Sequence, residues 1–358
     1  MARDIHRGRS VAATLSLACA FLFLNPAVFS QTGSATKHGT VEHIKVHGQS
    51  LEGNLEGDSA DRDVSVYLPP SYKTEPDRRY PVIYLLHGFT DKDSDWFGNT
   101  KHFVSGSAAA DRAFSSGIRE MILVMPNAYT RYFGSMYSNS VTIGDWEDFI
   151  AHDLVAYVDS HYRTIPHRSS RGLAGHSMGG YGAIRLGMKH PEIFSSIYAL
   201  SACCLTPATN LNDPARAKLE EFRTDEELDK ADFFSKAAFA SAAAWSPDPK
   251  NPPRYLDLPW QNGAFQPMVE KKWAANAPAV MIDQYVPSLK SLHAIVLDVG
   301  TRDFLADSVR AFESILTAYD IRHTFETYDG DHLNRIEVRV ETKVLPFFAA
   351  NLNFGSKN

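Results

Sequence analysis

The sequence predicts an α/β fold in which a mostly parallel β-sheet is covered by helices on both faces. Short apolar runs that end in turn residues recur along the chain, as expected of strands that are buried on both faces. Segments with apolar residues at helical spacing lie between these runs, and strands that alternate with helices form parallel sheets. The 358 residues, of which 44% are hydrophobic and 22% are charged, suit one large domain of this kind or two small ones.

Eight strands are predicted. The first two alternate between apolar and polar residues, so we interpret them as antiparallel edge strands, the second ending at Pro69-Pro70. Continuous apolar runs such as YPVIYLLHG and EMILVMPNA indicate buried strands for the core of the sheet. In chain order, the predicted strands are 41–46, 63–72, 80–88, 120–128, 169–177, 195–203, 292–300 and 323–330.

Helical patterns lie between the predicted strands. One covers residues 145–162, with Asp145 as a candidate N-cap, another begins directly after Ser177, and a third covers 307–320. Residues 205–291 differ, because they are rich in proline, alanine and charged residues and show no strand pattern. We interpret this segment as a helical, lid-like insertion between two core strands that covers the active-site edge. A second domain is the alternative.

The N-terminus has the layout of a secretory signal peptide. Basic residues are followed by an apolar run of 14 residues, VAATLSLACAFLFL, and small residues stand at the positions expected before a cleavage site. We therefore expect a signal peptide over 1–30 with cleavage near Ser30, a flexible lead over 31–40, and the α/β domain over 41–352. Such a protein is secreted or periplasmic. An uncleaved anchor is the alternative, but the run is short for a membrane span, so we expect no stable membrane association after cleavage.

Charge and cysteine content exclude several classes of function. The formal net charge of -6 provides no basic surface for nucleic acid. Of the three cysteines, Cys19 lies in the predicted signal peptide. Adjacent cysteines close only a strained ring, so we interpret Cys203 and Cys204 as two buried free thiols. Neither a CxxC nor an HExxH pattern occurs, and the sequence predicts no metal site.

The stretch GLAGHSMGGYG places Ser177 between a predicted strand and a predicted helix. Gly175 and Gly179 would let the strand and the helix approach closely while the serine adopts unfavourable dihedral angles. The helix N-terminus would then stabilise negative charge, and the Met178 amide would point to where an oxyanion forms. Ser177 is therefore the predicted nucleophile, with a plain strand-to-helix turn as the alternative.

A serine nucleophile needs an imidazole base and a carboxylate that orients it. Enzymes with this motif use the chain order serine, acid, histidine, each on a loop after a strand. Asp303 follows the seventh predicted strand and is favoured as the acid over Asp298, which lies within that strand. His332 follows the eighth strand in a turn and is the predicted base. His176 is rejected as the base, because neighbouring residues at a tight turn project in different directions.

The remaining site residues come from the loop after the third strand and from aromatic positions. Gly88 permits a tight turn there, so the Phe89 amide is the expected second oxyanion donor, beside Met178, and His87 is expected to brace the loop. Four aromatic residues are candidates to line a substrate cleft, with core or lid packing as the alternative for each. These are Tyr132, Tyr137, Trp245 and Trp260.

The motifs resemble the esterase D / feruloyl esterase family of α/β-hydrolases, which includes S-formylglutathione hydrolases, enterochelin esterases and mycolyltransferases. The matching pieces run in order through most of the chain: LLHGFTD, MPNAYTRYFGSMYSNS, GDWEDFIAHDL, GLAGHSMGGYGAI, DVGTRDF and YDGDHLN. The resemblance implies an α/β-hydrolase catalytic domain with Ser177 as nucleophile, Asp303 as acid and His332 as base. It also implies oxyanion amides at Phe89 and Met178, and an acyl-serine mechanism without metal or organic cofactor.

The resulting expectation is a secreted serine ester hydrolase. Its substrates would be feruloyl- or acetyl-type esters of plant polysaccharide, or similar small esters. An acyltransferase of the mycolyltransferase type, which moves the acyl group to a sugar hydroxyl, is one alternative. A non-catalytic envelope binding module is the other. The sequence departs from many family members in having Leu333 after the predicted base, where an aromatic residue is common, and in the length of the 205–291 segment.

Overall fold

A central sheet organises the residues that the structure, a computed structural model, describes: 37–98 and 101–355. These residues belong to one compact unit. In chain order, the strands of this part are β1 (Thr40–His47), β2 (Asp61–Leu68), β3 (Val82–Leu86), β4 (Ile122–Pro126), β5 (Asn139–Ser140), β6 (Gly144–Asp145), β7 (Arg171–His176), β8 (Ser196–Leu200), β9 (Trp260–Gln261), β10 (Ala264–Phe265), β11 (Ala294–Gly300) and β12 (Thr324–Tyr328). Each of the eight strands predicted from the sequence corresponds to one of the longer strands.

Within the described residues, eight strands form one sheet in the order β1-β2-β4-β3-β7-β8-β11-β12. β2 runs antiparallel to both β1 and β4, whereas β4, β3, β7, β8, β11 and β12 are parallel. The prediction that both antiparallel strands lie at the edge is therefore wrong for β2, which pairs on two sides. The carboxyl ends of the six parallel strands share one edge, so the loops that follow them meet there.

The sheet has a hydrophobic core on each face. Every residue of β3 and β4 is buried, as the continuous apolar runs predict. Because successive side chains of a strand point to opposite faces, Tyr84 packs into one core, while Ile83 and Leu85 pack into the other. Both cores are completed by helices, which confirms the predicted fold class.

The helices of the described part are α1 (Asp93–Phe97), α2 (Gly106–Ser115), α3 (Trp146–Asp148), α4 (Leu154–His161), α5 (Met178–Lys189), α6 (Asp225–Asp229), α7 (Phe233–Trp245), α8 (Pro267–Ala275), α9 (Pro278–Ser291), α10 (Ala306–Ala318), α11 (Ile336–Arg339) and α12 (Leu345–Asn351). Ile184 of α5 and Phe312 of α10 pack into the core that contains Tyr84. Ala109 of α2 and Phe348 of α12 pack into the opposite core.

The helix predicted over 145–162 is present and uninterrupted from 146 to 161, but it is not α-helical throughout. α3 leads through a π-helical turn, Phe149–Asp153, into α4. The side chain of Asp145 makes no capping hydrogen bond, so the expectation that it caps this helix is wrong. Asn139 takes that role, because its Oδ1 accepts the amide of Glu147 at 2.7 Å.

The predicted insertion, residues 205–291, contains α6, α7, α8, α9 and a small hairpin of β9 and β10. Its last helix, α9, packs against α5 and so belongs to the helical layer over the sheet. The start of α7, in contrast, lies at the cavity beside Ser177. The segment therefore supplies both a core helix and part of a cavity wall.

The predicted signal peptide, residues 1–30 with cleavage near Ser30, lies outside the described residues, as does most of the lead predicted over 31–40. Among the helices that the structure describes, none combines the length and the apolar content that crossing a bilayer requires.

A substitution at Gly179 tests how closely α5 approaches β3. A Cβ at this position would fall well within 3.0 Å of the Leu86 carbonyl oxygen, closer than Cβ atoms come to backbone, so the helix would have to move. We expect Gly179→Ala to lower the free energy of unfolding by about 3 kcal/mol or more, as in severe overpacking. Chemical denaturation of the purified variant measures this change.

Gly263→Ala is the matched control. Apart from residue 263 itself and its two chain neighbours, no atom of the described residues lies within 4 Å of a Cβ at this position, and the φ of Gly263 is +71°. The positive φ alone should lower the free energy of unfolding of Gly263→Ala by about 1 kcal/mol. Equal losses of stability in the two variants would contradict the close contact between α5 and β3.

Candidate active site

Ser177 occupies a strained turn between β7 and α5. Its φ of 56° and ψ of -114° lie in a region that residues other than glycine rarely adopt. The turn is fixed from the neighbouring strand, because the Ser177 amide donates to the Leu200 carbonyl at 3.0 Å and the Cys203 amide donates to the Ser177 carbonyl at 3.1 Å. Cys203 and Cys204 are both free thiols, but they are half-buried and not buried as the sequence predicts. Strained backbone persists where its surroundings over-determine it, and this serine meets that condition.

His332 bridges Ser177 and Asp303. Its Nε2 lies 3.0 Å from the Ser177 hydroxyl oxygen, and its Nδ1 lies 2.9 Å and 3.1 Å from the two carboxylate oxygens of Asp303. With Nδ1–H donating to the carboxylate, Nε2 is free to accept the proton of the hydroxyl. This geometry is the one that activates a serine. The structure thus brings together the side chains of the predicted nucleophile, acid and base.

The Asp303 carboxyl is ionised in this site. Its side chain is fully buried. Burial raises its pKa, but the hydrogen bonds from His332 and from the Leu305 amide, the latter at 2.9 Å, outweigh burial and hold the pKa below its usual range. A carboxylate charge beside Nδ1 stabilises an imidazolium if His332 takes up a proton.

Asp298, the alternative acid, has different partners. It lies within β11, where its Oδ2 accepts the Tyr198 hydroxyl at 2.8 Å and Nε of Arg339 at 2.5 Å. Complete burial raises its pKa to about 6, and the Arg339 charge opposes that shift. The side chain therefore belongs to a buried ion pair between the sheet and α11.

The two expected oxyanion donors lie close together. Met178 is the first residue of α5, so its amide has no acceptor within the helix and lies at the positive end of the helix dipole. Phe89 follows β3 and lines the cavity that contains Ser177. Both side chains flank Gly134, where a Cβ would lie 2.7 Å from Sδ of Met178 and 2.8 Å from Cδ2 of Phe89. The side chains of the two residues that are expected to supply the amides are therefore neighbours.

His176 contacts the predicted base, although the sequence assigns it no role. Its Nε2 donates to the main-chain carbonyl of His332 at 2.8 Å, and the two rings lie 4.7 Å apart. Burial, and secondarily the neighbouring His332, lower the pKa of His176 to about 3. The ring is therefore neutral and supports the loop of the base. No local pattern reveals this role, because the contact joins residues 156 positions apart.

His87 has the contacts of a bracing residue. Its Nε2 accepts the amide of Ala128 at 2.8 Å and its Nδ1 donates to the carbonyl of Gly88 at 2.8 Å. Burial lowers its pKa, which keeps the ring neutral. The imidazole therefore ties the loop after β3 to the loop after β4.

Ser177 and His332 open into a cavity of about 360 Å³. Most of the exposed wall area is apolar, although five of the twelve lining residues are polar. Its other lining residues are Gly88, Phe89, Thr90, Asp91, Phe103, His176, Phe233, Phe234, Phe304 and Leu333. In residues 37–98 and 101–355, no group of three or more histidine, cysteine, aspartate and glutamate side chains is arranged to hold a metal ion.

The four aromatic candidates for the substrate cleft lie elsewhere in the described structure. Tyr132 and Tyr137 are buried, and their hydroxyls donate to the Arg254 and His87 carbonyls, both at 3.1 Å. Trp245 lines a separate cavity of about 530 Å³, and Trp260 lines another of about 340 Å³. In the structure these residues pack the interior or line other cavities, and none of them is among the residues that line the Ser177 cavity.

Sequence reasoning missed the aromatic residues that do line the cavity. Phe233 and Phe234 follow Asp232, a helix N-cap whose pattern is visible in the sequence, and Phe304 directly follows Asp303. Because Phe304 directly follows the predicted acid, Asp303, its position in the sequence could have placed it at the site. Nothing local places the start of α7 beside Ser177.

Comparison with known proteins gives one family match over most of the chain. The family model described as putative esterase matches residues 59–335. An esterase of Mycobacterium tuberculosis is 33% identical over 135 residues, which is 37% of this chain and 27% of that protein. An endo-1,4-beta-xylanase/feruloyl esterase of Xylanibacter ruminicola is 27% identical over 187 residues, or 51% of this chain and 24% of that protein. The chain thus spans about a quarter of the length of these relatives.

Solved structures match over nearly the whole fold. A ferulic acid esterase superimposes with a TM-score of 0.63 at 23% identity, covering 88% of this chain and 99% of the other. A fluorophosphonate-binding serine hydrolase of Staphylococcus aureus gives 0.60 at 18% identity, with coverage of 87% and 99%. These likenesses establish the α/β-hydrolase fold that the sequence predicts.

The buried His176 makes stability depend on pH. Its pKa is about 3 in the folded protein and about 6.5 when exposed, so between these values the unfolded chain binds a proton that the folded chain does not. The free energy of unfolding should therefore fall as the pH falls below 6.5, with this group contributing about 1.4 kcal/mol per pH unit. Urea denaturation from pH 7 to pH 4 measures the slope.

His176→Gln removes the titrating group and keeps a side-chain N–H donor. Its pH slope should be shallower than that of the wild type by the equivalent of one proton, and other titrating groups cancel in the comparison. Identical slopes would contradict a buried, neutral His176.

Proposed function

This chain belongs to the putative esterase family, and from that premise we propose that it hydrolyses carboxylic esters through an acyl intermediate on Ser177. The observation that supports the proposal most directly is the chain of contacts from Asp303 through His332 to the Ser177 hydroxyl. These contacts lie at the mouth of an apolar cavity large enough for part of a small ester.

In the proposed first half-reaction, Oγ of Ser177 attacks the ester carbonyl while Nε2 of His332 takes the hydroxyl proton. The negative charge of Asp303 stabilises the imidazolium. The amides of Phe89 and Met178 donate to the oxyanion. When the bond between the carbonyl carbon and the alkoxy oxygen breaks, His332 returns the proton to the departing alcohol and the acyl group remains on Ser177.

In the second half-reaction, water takes the place of the alcohol. His332 removes one proton from the water as its oxygen attacks the acyl carbon, and the same oxyanion donors act again. Collapse of this intermediate releases the carboxylic acid and returns the proton to Oγ of Ser177. Every proton is accounted for by His332 and water, so the proposed cycle uses no further group.

The proposed substrates are feruloyl- or acetyl-type esters of plant polysaccharide, or similar small esters. The likeness to an endo-1,4-beta-xylanase/feruloyl esterase and to a ferulic acid esterase supports this choice. The signal-peptide pattern of residues 1–30 supports action outside the cytoplasm. Measuring ferulate and acetate released from feruloylated and acetylated xylan distinguishes the two acyl groups.

Ser177→Ala tests the nucleophile. Loss of the hydroxyl should lower kcat for p-nitrophenyl acetate by at least about a thousandfold, because no acyl-enzyme can form. A fluorophosphonate probe should label the wild type and not the variant, as mass spectrometry of the intact protein would show. Ser314→Ala, a change at an exposed serine of α10, is the control. Wild-type turnover or labelling in Ser177→Ala would refute the mechanism.

Two aspartate variants separate the proposed acid from the structural carboxylate. Asp303→Asn should lower kcat on the order of ten-thousandfold with little change in stability, because an amide neither stabilises the imidazolium nor holds the required tautomer. Asp298→Asn should instead lower the free energy of unfolding by about 3 kcal/mol, since Arg339 loses its buried partner.

For both aspartate variants, kcat is measured with p-nitrophenyl acetate and stability is measured by thermal unfolding. The reverse pattern, in which Asp298→Asn loses turnover and Asp303→Asn loses stability, would move the acid to Asp298.

A further inference from the structure

Cys203 and Cys204 are adjacent in the loop after β8, and their side chains are in contact. The Cys204 thiol donates a hydrogen bond to Sγ of Cys203 at 2.7 Å. A disulfide bond joins two sulfurs at about 2.05 Å, so the fold already holds these sulfurs close to the bonded distance. Neither thiol has a part in the proposed ester hydrolysis. We call this pair the vicinal dithiol.

The vicinal dithiol is reached from solvent through a second cavity. Cys204 lines the cavity of about 530 Å³ that Trp245 also lines, whereas Cys203 is not among the described residues of its wall. Residues 207–209 and Asp307 line the same cavity and are exposed. A cavity of this volume holds a small molecule. A small solute can therefore enter from solvent and meet the sulfur of Cys204 first.

The two thiols differ in reactivity. The hydrogen bond with Cys204, and secondarily burial, raise the pKa of the Cys203 thiol well above its usual range. Because the thiolate and not the thiol is the nucleophile, Cys203 is the less reactive partner toward a reagent from solvent. Cys204 is therefore suited to attack an incoming reagent, and Cys203 is suited to displace it afterwards.

A disulfide between adjacent residues is strained. Consecutive Cα atoms lie about 3.8 Å apart across a trans peptide, whereas disulfides usually join Cα atoms that are roughly 4.4 to 6.8 Å apart. Strained disulfides are more easily reduced than structural ones, and they serve as reversible sites. A bond within the vicinal dithiol would therefore form and break with the redox conditions around the protein.

Closing this bond would disturb the turn that carries Ser177. The loop is fixed on both sides of the pair, because the Ser201 amide donates to a carbonyl of β11 at 2.8 Å and the Leu205 carbonyl accepts an amide of α9 at 2.9 Å. Rotation about the bonds between Cys203 and Cys204 is thus confined to a short interval. Within that interval, the Cys203 amide donates to the Ser177 carbonyl at 3.1 Å. Ring closure therefore changes a hydrogen bond that holds the nucleophile.

We propose that the vicinal dithiol is a redox modification site that takes small disulfides from solvent and, once oxidised, lowers turnover at Ser177. The effect on turnover rests on the proposed function, whereas the thiol chemistry does not. Disulfides of this kind belong to oxidising compartments. The signal-peptide pattern of residues 1–30 supports contact with such a compartment.

The proposed oxidation is a thiol–disulfide exchange in two steps. The Cys204 thiolate attacks one sulfur of a disulfide RSSR, which forms a mixed disulfide and releases one thiolate RS⁻. Cys203 then loses its proton and attacks Sγ of Cys204, which closes the internal bond and releases the second RS⁻. Two electrons pass from the dithiol to the reagent, and the two protons lost by the cysteines are taken up by the two RS⁻ groups.

Bis(2-hydroxyethyl) disulfide, an uncharged reagent, tests the site on protein that has been reduced with dithiothreitol and then freed of it. The tryptic peptide that contains both cysteines should become lighter by the mass of two hydrogen atoms and resist alkylation by iodoacetamide. In the same sample, kcat for p-nitrophenyl acetate should fall by at least about tenfold, because rate depends steeply on the position of the reacting group. Renewed reduction should reverse both changes.

Three serine variants identify the sulfurs, and the ratio of kcat before and after treatment is taken within each variant. Cys204→Ser should form no internal bond and keep a ratio near one. Cys203→Ser should stop at the mixed disulfide, with a peptide heavier by one half of the reagent. Cys19→Ser, which changes the remaining cysteine of the sequence, is the control and should respond as the wild type does.

The outcomes separate this site from the proposed function. Thiols that stay free, or a wild-type protein that stops at the mixed disulfide, would overturn the redox site. A complete internal bond with unchanged kcat, or an equal fall of kcat in Cys204→Ser, would overturn its effect on Ser177. An internal bond that forms in a protein whose reduced state turns over no ester and binds no fluorophosphonate would instead refute the proposed function.

Discussion

The candidate site depends on the close approach of α5 to the end of β3. Gly179 has no Cβ, so the carbonyl oxygen of Leu86 can lie directly against the start of the helix. The same approach places Met178, the first residue of α5, beside the loop that carries Phe89. Phe89 and Met178 are the residues whose backbone amides are proposed to bind the oxyanion, and this packing would fix both before any substrate is present. Fixed dipoles stabilise a developing charge most effectively, because they do not have to reorganise when the charge forms.

The predicted base is held by two neighbouring residues of the loop after β11 and by the last residue of β7. Asp303 binds Nδ1 of His332, His176 donates to its main-chain carbonyl, and Phe304 packs against its ring. The neutrality of His176 matters here, because a second cation would oppose formation of an imidazolium 4.7 Å away. The histidine next to Ser177 is therefore not the base, and it is also not uninvolved, since it supports the base.

The sequence predicted the residues of the candidate triad because the rule that locates them concerns strand ends. Apolar runs mark the strands, the carboxyl ends of parallel strands share one edge, and Ser177, Asp303 and His332 each follow a strand. The errors have another origin. Residue type alone does not distinguish a buried tyrosine from one in a cleft, and the hydroxyl of Tyr137 is occupied by a carbonyl 50 residues away. The pairing of β2 with β4 likewise depends on a strand that is distant in sequence.

The predicted catalytic residues and the exposed phenylalanines at the mouth of the Ser177 cavity come from different parts of the fold. Ser177, Asp303 and His332 follow strands of the sheet, so their positions are tied to its register. Phe233 and Phe234 belong to a segment whose last helix, α9, packs on α5, while its earlier part meets the cavity from outside the sheet. Contact between large apolar side chains and water is unfavourable. The exposed phenylalanines at the mouth of the Ser177 cavity therefore offer apolar surface that a bound ligand would bury. An apolar ligand beside Ser177 would remove that surface from water, which links the composition of the insertion to the binding properties of the cavity.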